Sequence, residues 1–346
     1  MKLSVIAQKT QGQLFGQDLD VCQFSTDTRT LTVGDVFIAL SGANFDANSF
    51  VAKAQDLGAV AAIVSQYQPE LNLSQIVVAN TQTALGLLAK TWREQFELMR
   101  VAMTGSSGKT TTKEFAASII GSCRRVHYSK GSYNNHWGVP LSLLECHREH
   151  EVALIEMGMN HVGELTTLCG IAEPDVVMCT MVGRGHLEGL GSIAGVAAAK
   201  SEIYAASPQA LAIFNLENEY TRAMATQFAR PKTITFAGLN SPWADSADIS
   251  LTVAEMSPTS MRVRGRILQQ NGETEVEVFG EQNITNLMAA SALAVSVGLT
   301  AQEIWAALPR CRTIWGRNQW VKLASGAQVL FDGYNANPES MAAAVN

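Results

Sequence analysis

The strongest chemical signal in this 346-residue chain is the run Thr104-Gly105-Ser106-Ser107-Gly108-Lys109-Thr110-Thr111. It follows a short strand expected at 100–103, and a helix is expected from about Lys109. Glycines at 105 and 108 let backbone N–H groups close around phosphate oxygens, and the helix N-terminus adds a partial positive charge. Lys109 supplies a point cation for β- and γ-phosphate oxygens, and the Thr110 hydroxyl suits Mg²⁺. The first glycine sits only three residues before the second, so the loop departs from the general G-x-x-x-x-G-K-[ST] form. The bland alternative is a glycine-rich turn with no ligand; the strand before it and the Lys-Thr-Thr run after it argue against that.

Other residues could serve the same chemistry. Glu156 ends the apolar run 152–155. A carboxylate at the C-terminal edge of a parallel strand points into the crevice where ligands bind, and Mg²⁺ takes one or two carboxylates plus phosphate oxygens. Alone, Glu156 reads equally well as a strand-end residue facing water. His186 lies in Gly183-Arg184-Gly185-His186-Leu187-Glu188 after another apolar run. A dinucleotide loop fails there, because the residue three after Gly185 is Glu188; the imidazole remains a secondary metal ligand or a plain loop histidine. Lys200, on a small-residue helix, reads by type as a snorkelling surface lysine. Asn283 and Asn286 offer amides for a purine edge or, equally, a helix cap. Arg317 could reach a phosphate and Asp332 ribose hydroxyls, or Asp332 could belong to a turn of Asn, Gly and Pro.

These residues need a scaffold. Apolar residues are 47% of the chain and charged residues 16%, enough apolar content for two or three packed domains. Runs at 36–40, 61–64 and 76–79 predict strands and 50–57 a helix, a small α/β module. Residues 82–98 predict a linking helix. From residue 100 strands (100–103, 152–156, 176–180, 210–215) alternate with helical stretches such as 192–206, which predicts a doubly wound, mostly parallel sheet. Residues 248–279 break the rhythm. Arg262, Arg264 and Arg266 alternate with apolar residues, as do Glu273, Glu275 and Glu277 with Thr and Val. Asn271-Gly272 between them predicts the hairpin turn, with Arg and Glu faces pairing across it. That pairing and a net charge of −6 argue against a nucleic-acid surface. No apolar run approaches the ~18 residues that cross a bilayer, so no membrane insertion is expected. The N-terminus lacks an apolar h-region, so no signal peptide is read. Six scattered cysteines with no C-x-x-C predict reduced, mostly buried thiols and a cytoplasmic protein.

In this order the motifs resemble the Mur ligase family, ATP-dependent amide-bond-forming ligases of peptidoglycan precursor synthesis. The resemblance covers the whole chain. Three strings, Gly131-Ser132-Tyr133-Asn134-Asn135, Glu156-Met157-Gly158 and Tyr334-Asn335-Ala336-Asn337-Pro338-Glu339-Ser340-Met341, favour the branch that joins D-alanyl-D-alanine to UDP-MurNAc-tripeptide. The resemblance implies that Ser25, Thr26, Asp27, Thr28 and Arg29, with Asn134 and Asn135, hold the UDP-muramoyl substrate. It implies that Gly105, Ser106, Ser107, Gly108, Lys109, Thr110 and Thr111 bind ATP, with Asn283 and Asn286 on the adenine and Arg317 and Asp332 closing on the nucleotide. Thr110, Glu156, His186 and Lys200 resemble Mg²⁺ ligands, Lys200 after carbamylation, which turns a cation into a carboxylate-like group. The resemblance implies Lys109, Lys200 and His186 as the catalytic set. Where the family has His-Asn, this chain has Gln282-Asn283.

The implied domains are 1–82 (UDP-substrate binding), 83–312 (P-loop, ATP binding) and 313–346, the start of a third, Rossmann-like ligase domain. The sequence ends inside that domain's first helix. The expectation is therefore a monomeric, truncated product or fragment that binds both substrates without appreciable ligation. The rival readings are another ligase of the superfamily, such as folylpolyglutamate synthase or cyanophycin synthetase, and a catalytically incompetent UDP-sugar or nucleotide-binding module. The Ser-Thr-Asp-Thr-Arg string at 25–29 argues against the other ligases.

Overall fold

The computed structural model describes residues 1–42, 45–129, 131–317, 319–334 and 341. Two compact units emerge: Met1–Glu97 with His136–Arg148, and Leu98–Asn135 with Glu149–Asn346. The helix Thr81–Arg93, expected as a linker, packs within the first unit against the helix Gly138–Leu144.

The first unit is built on a five-stranded sheet ordered Gln13–Phe15, Ser74–Val77, Ala61–Val64, Val36–Ile38, Phe24–Ser25. All pairs are parallel except the first. The central strands are continuous apolar runs because both faces are covered; Val36, Ile38, Ala61, Ile63 and Ile76 have no exposed surface.

The second unit carries a nine-stranded sheet. Its order is Gln270–Val276, Met261–Ile267, Ile249–Met256, Thr233–Phe236, Leu211–Asn215, Val176–Cys179, Met99–Thr104, Val152–Glu156, Val126–Tyr128. From Thr233–Phe236 to Val126–Tyr128 the pairing is parallel, as the alternation of strands and helices predicts. The strand Met99–Thr104 lies between Val152–Glu156 and Val176–Cys179, so successive crossovers leave it in opposite directions. That reversal opens a crevice at the C-terminal strand ends. The helix Lys109–Ile120 packs on Asn283–Ser296, and Phe115, Ile119, Leu287 and Leu293 belong to one buried apolar cluster.

The hairpin differs from expectation. Its turn lies at Leu268-Gln269, with Leu268 at φ 52°. Asn271 and Gly272 sit inside the strand Gln270–Val276, opposite Arg266 and Gly265. The physical reason is packing: a Cβ on Gly272 would lie 2.4 Å from Trp305 Cε2. This glycine makes room for an indole rather than a turn. Arg262 and Arg264 do face Glu275 and Glu273. Arg266 instead donates to the carbonyls of Ala244, Ala247 and Leu268. The unforeseen strand Ile249–Met256 completes a three-stranded antiparallel extension. Cys146, Cys169, Cys179 and Cys311 are buried, Cys22 and Cys123 are exposed, and all six are free thiols. Among the described residues no helix is long and apolar enough to cross a membrane.

Candidate active site

The strand Met99–Thr104 delivers the glycine-rich loop into the crevice, and the helix begins at Lys109. Gly105 has φ 148°, and a Cβ there would fall 1.9 Å from Thr180 Oγ1. Only glycine fits, because the Thr180 hydroxyl donates to Ser107 O at 2.6 Å. Ser106 Oγ accepts from Gly183 N at 2.9 Å. These bonds fasten the loop to the segment after Val176–Cys179 and leave its remaining N–H groups at a helix N-terminus. Lys109 is half-buried and folds back so that Nζ donates to Gly105 O at 2.8 Å. Burial lowers the Lys109 pKa; the Glu156 carboxylate opposes that shift and the Arg317 charge adds to it.

Glu156 is 1% exposed at the end of Val152–Glu156. Thr110 Oγ1 donates to its Oε2 at 2.9 Å and Asn134 Nδ2 to its Oε1 at 2.8 Å. Both are neutral donors. Burying a carboxylate is costly unless its charge is compensated, and with a hydroxyl beside it this donor set fits a hard divalent cation completed by phosphate oxygens. Among the described residues no three His, Cys, Asp or Glu side chains cluster, so a chelating site of the zinc kind is not formed by them.

Lys200 is 1% exposed on Ile193–Ala205, contrary to a snorkelling surface lysine. Lys200 stands on the buried face of that helix, with Val196, Ala199, Ile203 and Tyr204, so its amine is not directed to solvent. Burial, reinforced by the Lys109 charge, lowers the Lys200 pKa to about 8. As an ammonium Lys200 opposes a cation; the neutral amine that burial favours is the form that takes up CO₂. His186 has φ 65° before the turn Leu187–Leu190, and its ring reaches solvent. Partial burial, with Lys200 and Lys109 adding to it, lowers the His186 pKa and favours the neutral ligand form.

Asn286 Oδ1 lies where a Cβ on Gly108 would come within 2.4 Å, and it accepts from Thr112 Oγ1 at 3.3 Å. Asn286 Nδ2 donates to Asn283 Oδ1 at 2.9 Å, and Asn283 Nδ2 to Phe279 O at 2.7 Å. Neither amide caps its helix; the pair spans from the phosphate loop outward. Arg317 stacks on Tyr334, 4.4 Å from guanidinium to ring centroid, and Tyr334 OH meets Ser132 Oγ at 2.6 Å. Asp332 is half-buried just after Gln328–Phe331. Residues 335–340 of the Tyr-Asn-Ala-Asn string lie outside the described residues, as does the expected helix of the third domain apart from Met341.

Ser25, Thr26, Asp27, Thr28 and Arg29 lie in the first unit, on and after the strand Phe24–Ser25. Ser25 Oγ accepts from Asp27 N at 3.2 Å. The Arg29 guanidinium grips Asp27 with Nη2–Oδ2 at 2.6 Å and Nε–Oδ1 at 3.0 Å. Arg29 holds the Asp27 carboxyl down to about 2. Asn134 and the exposed Asn135 lie in the second unit.

Sequence reasoning missed Thr180, Ser132 and Lys113. The first two act only through contacts with residues remote in the chain. Lys113 left no signal of its burial, because its chain neighbours Thr112 and Glu114 are polar.

Residues 103–294 match the profile of the Mur ligase middle domain. UDP-N-acetylmuramoyl-tripeptide–D-alanyl-D-alanine ligase of Escherichia coli K12 is 38% identical over 346 residues, covering 99% of this chain and 75% of that protein. The chain belongs to the Mur ligase family. The solved MurF of Acinetobacter baumannii superposes on this Mur ligase with a TM-score of 0.89 at 34% identity, over 98% of this chain and 74% of that one. The MurF ligase of Thermotoga maritima, solved in complex with ADP, gives 0.82 at 26% identity, over 95% and 75%.

Proposed function

We propose that this Mur ligase couples ATP cleavage to amide-bond formation between UDP-MurNAc-tripeptide and D-alanyl-D-alanine, in the cytoplasmic assembly of peptidoglycan precursors. The observation that carries this reading is the 38% identity to the E. coli enzyme over 99% of the chain. The crevice geometry supports it.

In the reaction a terminal carboxylate oxygen of the tripeptide attacks the ATP γ-phosphorus and ADP leaves. The D-alanyl-D-alanine amine then attacks the acyl carbon, phosphate leaves, and the amine proton passes to solvent or base. Loop N–H groups and Lys109 hold the phosphates. Lys109 also offsets charge on the transferring phosphoryl group, and such electrostatic stabilisation supplies most of the rate enhancement in phosphoryl transfer. Bound Mg²⁺ would neutralise phosphate charge; Thr110 and Glu156 would hold it, with carbamylated Lys200 and neutral His186 as further ligands. Asn283 and Asn286 face the purine, and Arg317 and Asp332 the phosphates and ribose. Residues 25–29 hold the UDP end of the substrate, Arg29 reaching a phosphate in a bidentate way, with Asn134 and Asn135 as further contacts.

The test is phosphate release from ATP, measured with and without each of the two other substrates. Release should require UDP-MurNAc-tripeptide, and amide product should require D-alanyl-D-alanine. Lys109→Ala should lower the rate by about 10²–10³-fold with unchanged circular dichroism. Unaltered nucleotide affinity by calorimetry, together with unaltered rate, would remove the phosphate assignment.

A further inference from the structure

Lys113 lies on the P-loop helix one turn after Lys109, and its side chain is fully buried. Neighbouring Phe115, Ala116 and Ile119 belong to the apolar core, and a lysine amine among them is costly unless its donors are satisfied. Lys113 Nζ donates to Ser129 O and, at 2.7 Å, to Gly131 O. It stands 3.3 Å from a Glu114 carboxylate oxygen and 5.9 Å from the centroid of the Tyr128 ring. Two of the amine's donors thus go to the backbone of one loop.

That loop carries two residues of the candidate site. Ser132 Oγ lies 3.5 Å from Thr110 Oγ1. Asn134 Nδ2 bonds Glu156 Oε1, and Asn134 O accepts from Gly158 N at 2.7 Å. The loop is therefore gripped at its start by Lys113 and at its end by Gly158, with the contacts to Thr110 and Glu156 between. One helix bears Lys109 and Thr110 on its first turn and Lys113 on the next, so the phosphate loop and the loop at Ser132–Asn134 share one rigid mount. We propose that Lys113 is a positioning residue, clamping this loop so that Ser132 and Asn134 keep Thr110 and Glu156 aimed at a divalent cation and its phosphate oxygens. This rests on the reading of Thr110 and Glu156 given above.

Lys113→Met keeps the side chain's length and removes its donors. In hydrogen exchange on the ligand-free protein, the Gly158 amide and the segment around Ser132 should exchange about tenfold faster, while Val152–Glu156 keeps its protection. In the phosphate-release assay at saturating UDP-substrate, the Mg²⁺ concentration for half-maximal rate should rise about tenfold. At saturating UDP-substrate, adding Asn134→Ala to Lys113→Met should change the rate by less than about twofold, because both act on one contact. If Lys113→Met does not fold, Lys113→Gln, which keeps an amide donor, is read in the same way with a smaller shift. A folded variant with unaltered Gly158 exchange and Mg²⁺ dependence, or full additivity with Asn134→Ala, overturns the inference. Undiminished phosphate release by Glu156→Gln would overturn the site reading instead, whatever Lys113 does.

Discussion

At the scale of single residues, two charged side chains have environments that set their behaviour. Lys200 is the clearest. Its pKa in the fold is about 8, below the ordinary 10.5. The unfolded chain therefore holds this proton more tightly, and stability rises with pH from about 8 to about 10.5. At about 1.4 kcal/mol per unit, the charged form costs the fold ~3 kcal/mol at neutral pH. In CO₂-free buffer, Lys200→Met should thus resist urea better than the parent at pH 7, with the gap closing towards pH 10. A gap that stays constant with pH would show that the amine is not the source. Arg29 is the opposite case: it is well exposed, and Asp27 already occupies its guanidinium. An incoming phosphate must share that fork, so its gain is reduced by the ion pair it displaces. Arg29→Ala should still weaken UDP-MurNAc-tripeptide binding by ~2 kcal/mol, measured by calorimetry; equal affinities would take residues 25–29 out of the substrate site.

At the scale of elements, the antiparallel extension shows how a local signal loses to packing. Asn-Gly is a strong turn former, yet the chain turns three residues earlier because Trp305 occupies the space beside Gly272. Gly272→Ala would push a methyl group into that indole. Overpacking of this kind costs about 1–3 kcal/mol, so the second unit should melt several degrees lower by calorimetry. Were Asn271-Gly272 the turn, alanine there would disturb pairing rather than the tryptophan, and Trp305→Leu would not relieve the loss. The P-loop helix shows the reverse relation, because its local pattern and its packing agree. Strand, glycine turn and helix are contiguous, and the start at Lys109 is legible from the residues alone.

At the scale of the molecule, each unit has its own sheet and core, and the first borrows a distant segment. Within it, Trp92 Nε1 donates to Cys146 O at 3.0 Å, and Val139, Leu143 and Leu144 are buried on Gly138–Leu144. Residues 1–97 alone lack this helix and expose the face of Thr81–Arg93 that it covers. Burying each large aliphatic side chain is worth roughly 1.5–3 kcal/mol, so the fragment should be less stable by several such contributions. Joining 136–148 to it by a flexible linker should sharpen its NMR dispersion and raise its unfolding midpoint. Identical midpoints for the two forms would mean that the segment is a passenger.

The sequence by itself determined whatever depends on near neighbours. That includes the alternation of strands and helices, the phosphate loop, and the placing of Glu156 and Asp332 at strand ends. A period of two or of about 3.6 residues is written in consecutive side chains. Only the tertiary structure decided which distant groups meet. Asn134 reaches Glu156, Thr180 closes on Gly105, and Asn286 covers Gly108, because the crossovers place those strand and helix ends at one edge. The burial of Lys200 and Lys113 was decided there too. A lysine's type says only that it carries an amine; whether that amine meets water depends on what packs against its helix, which nearby residues do not record.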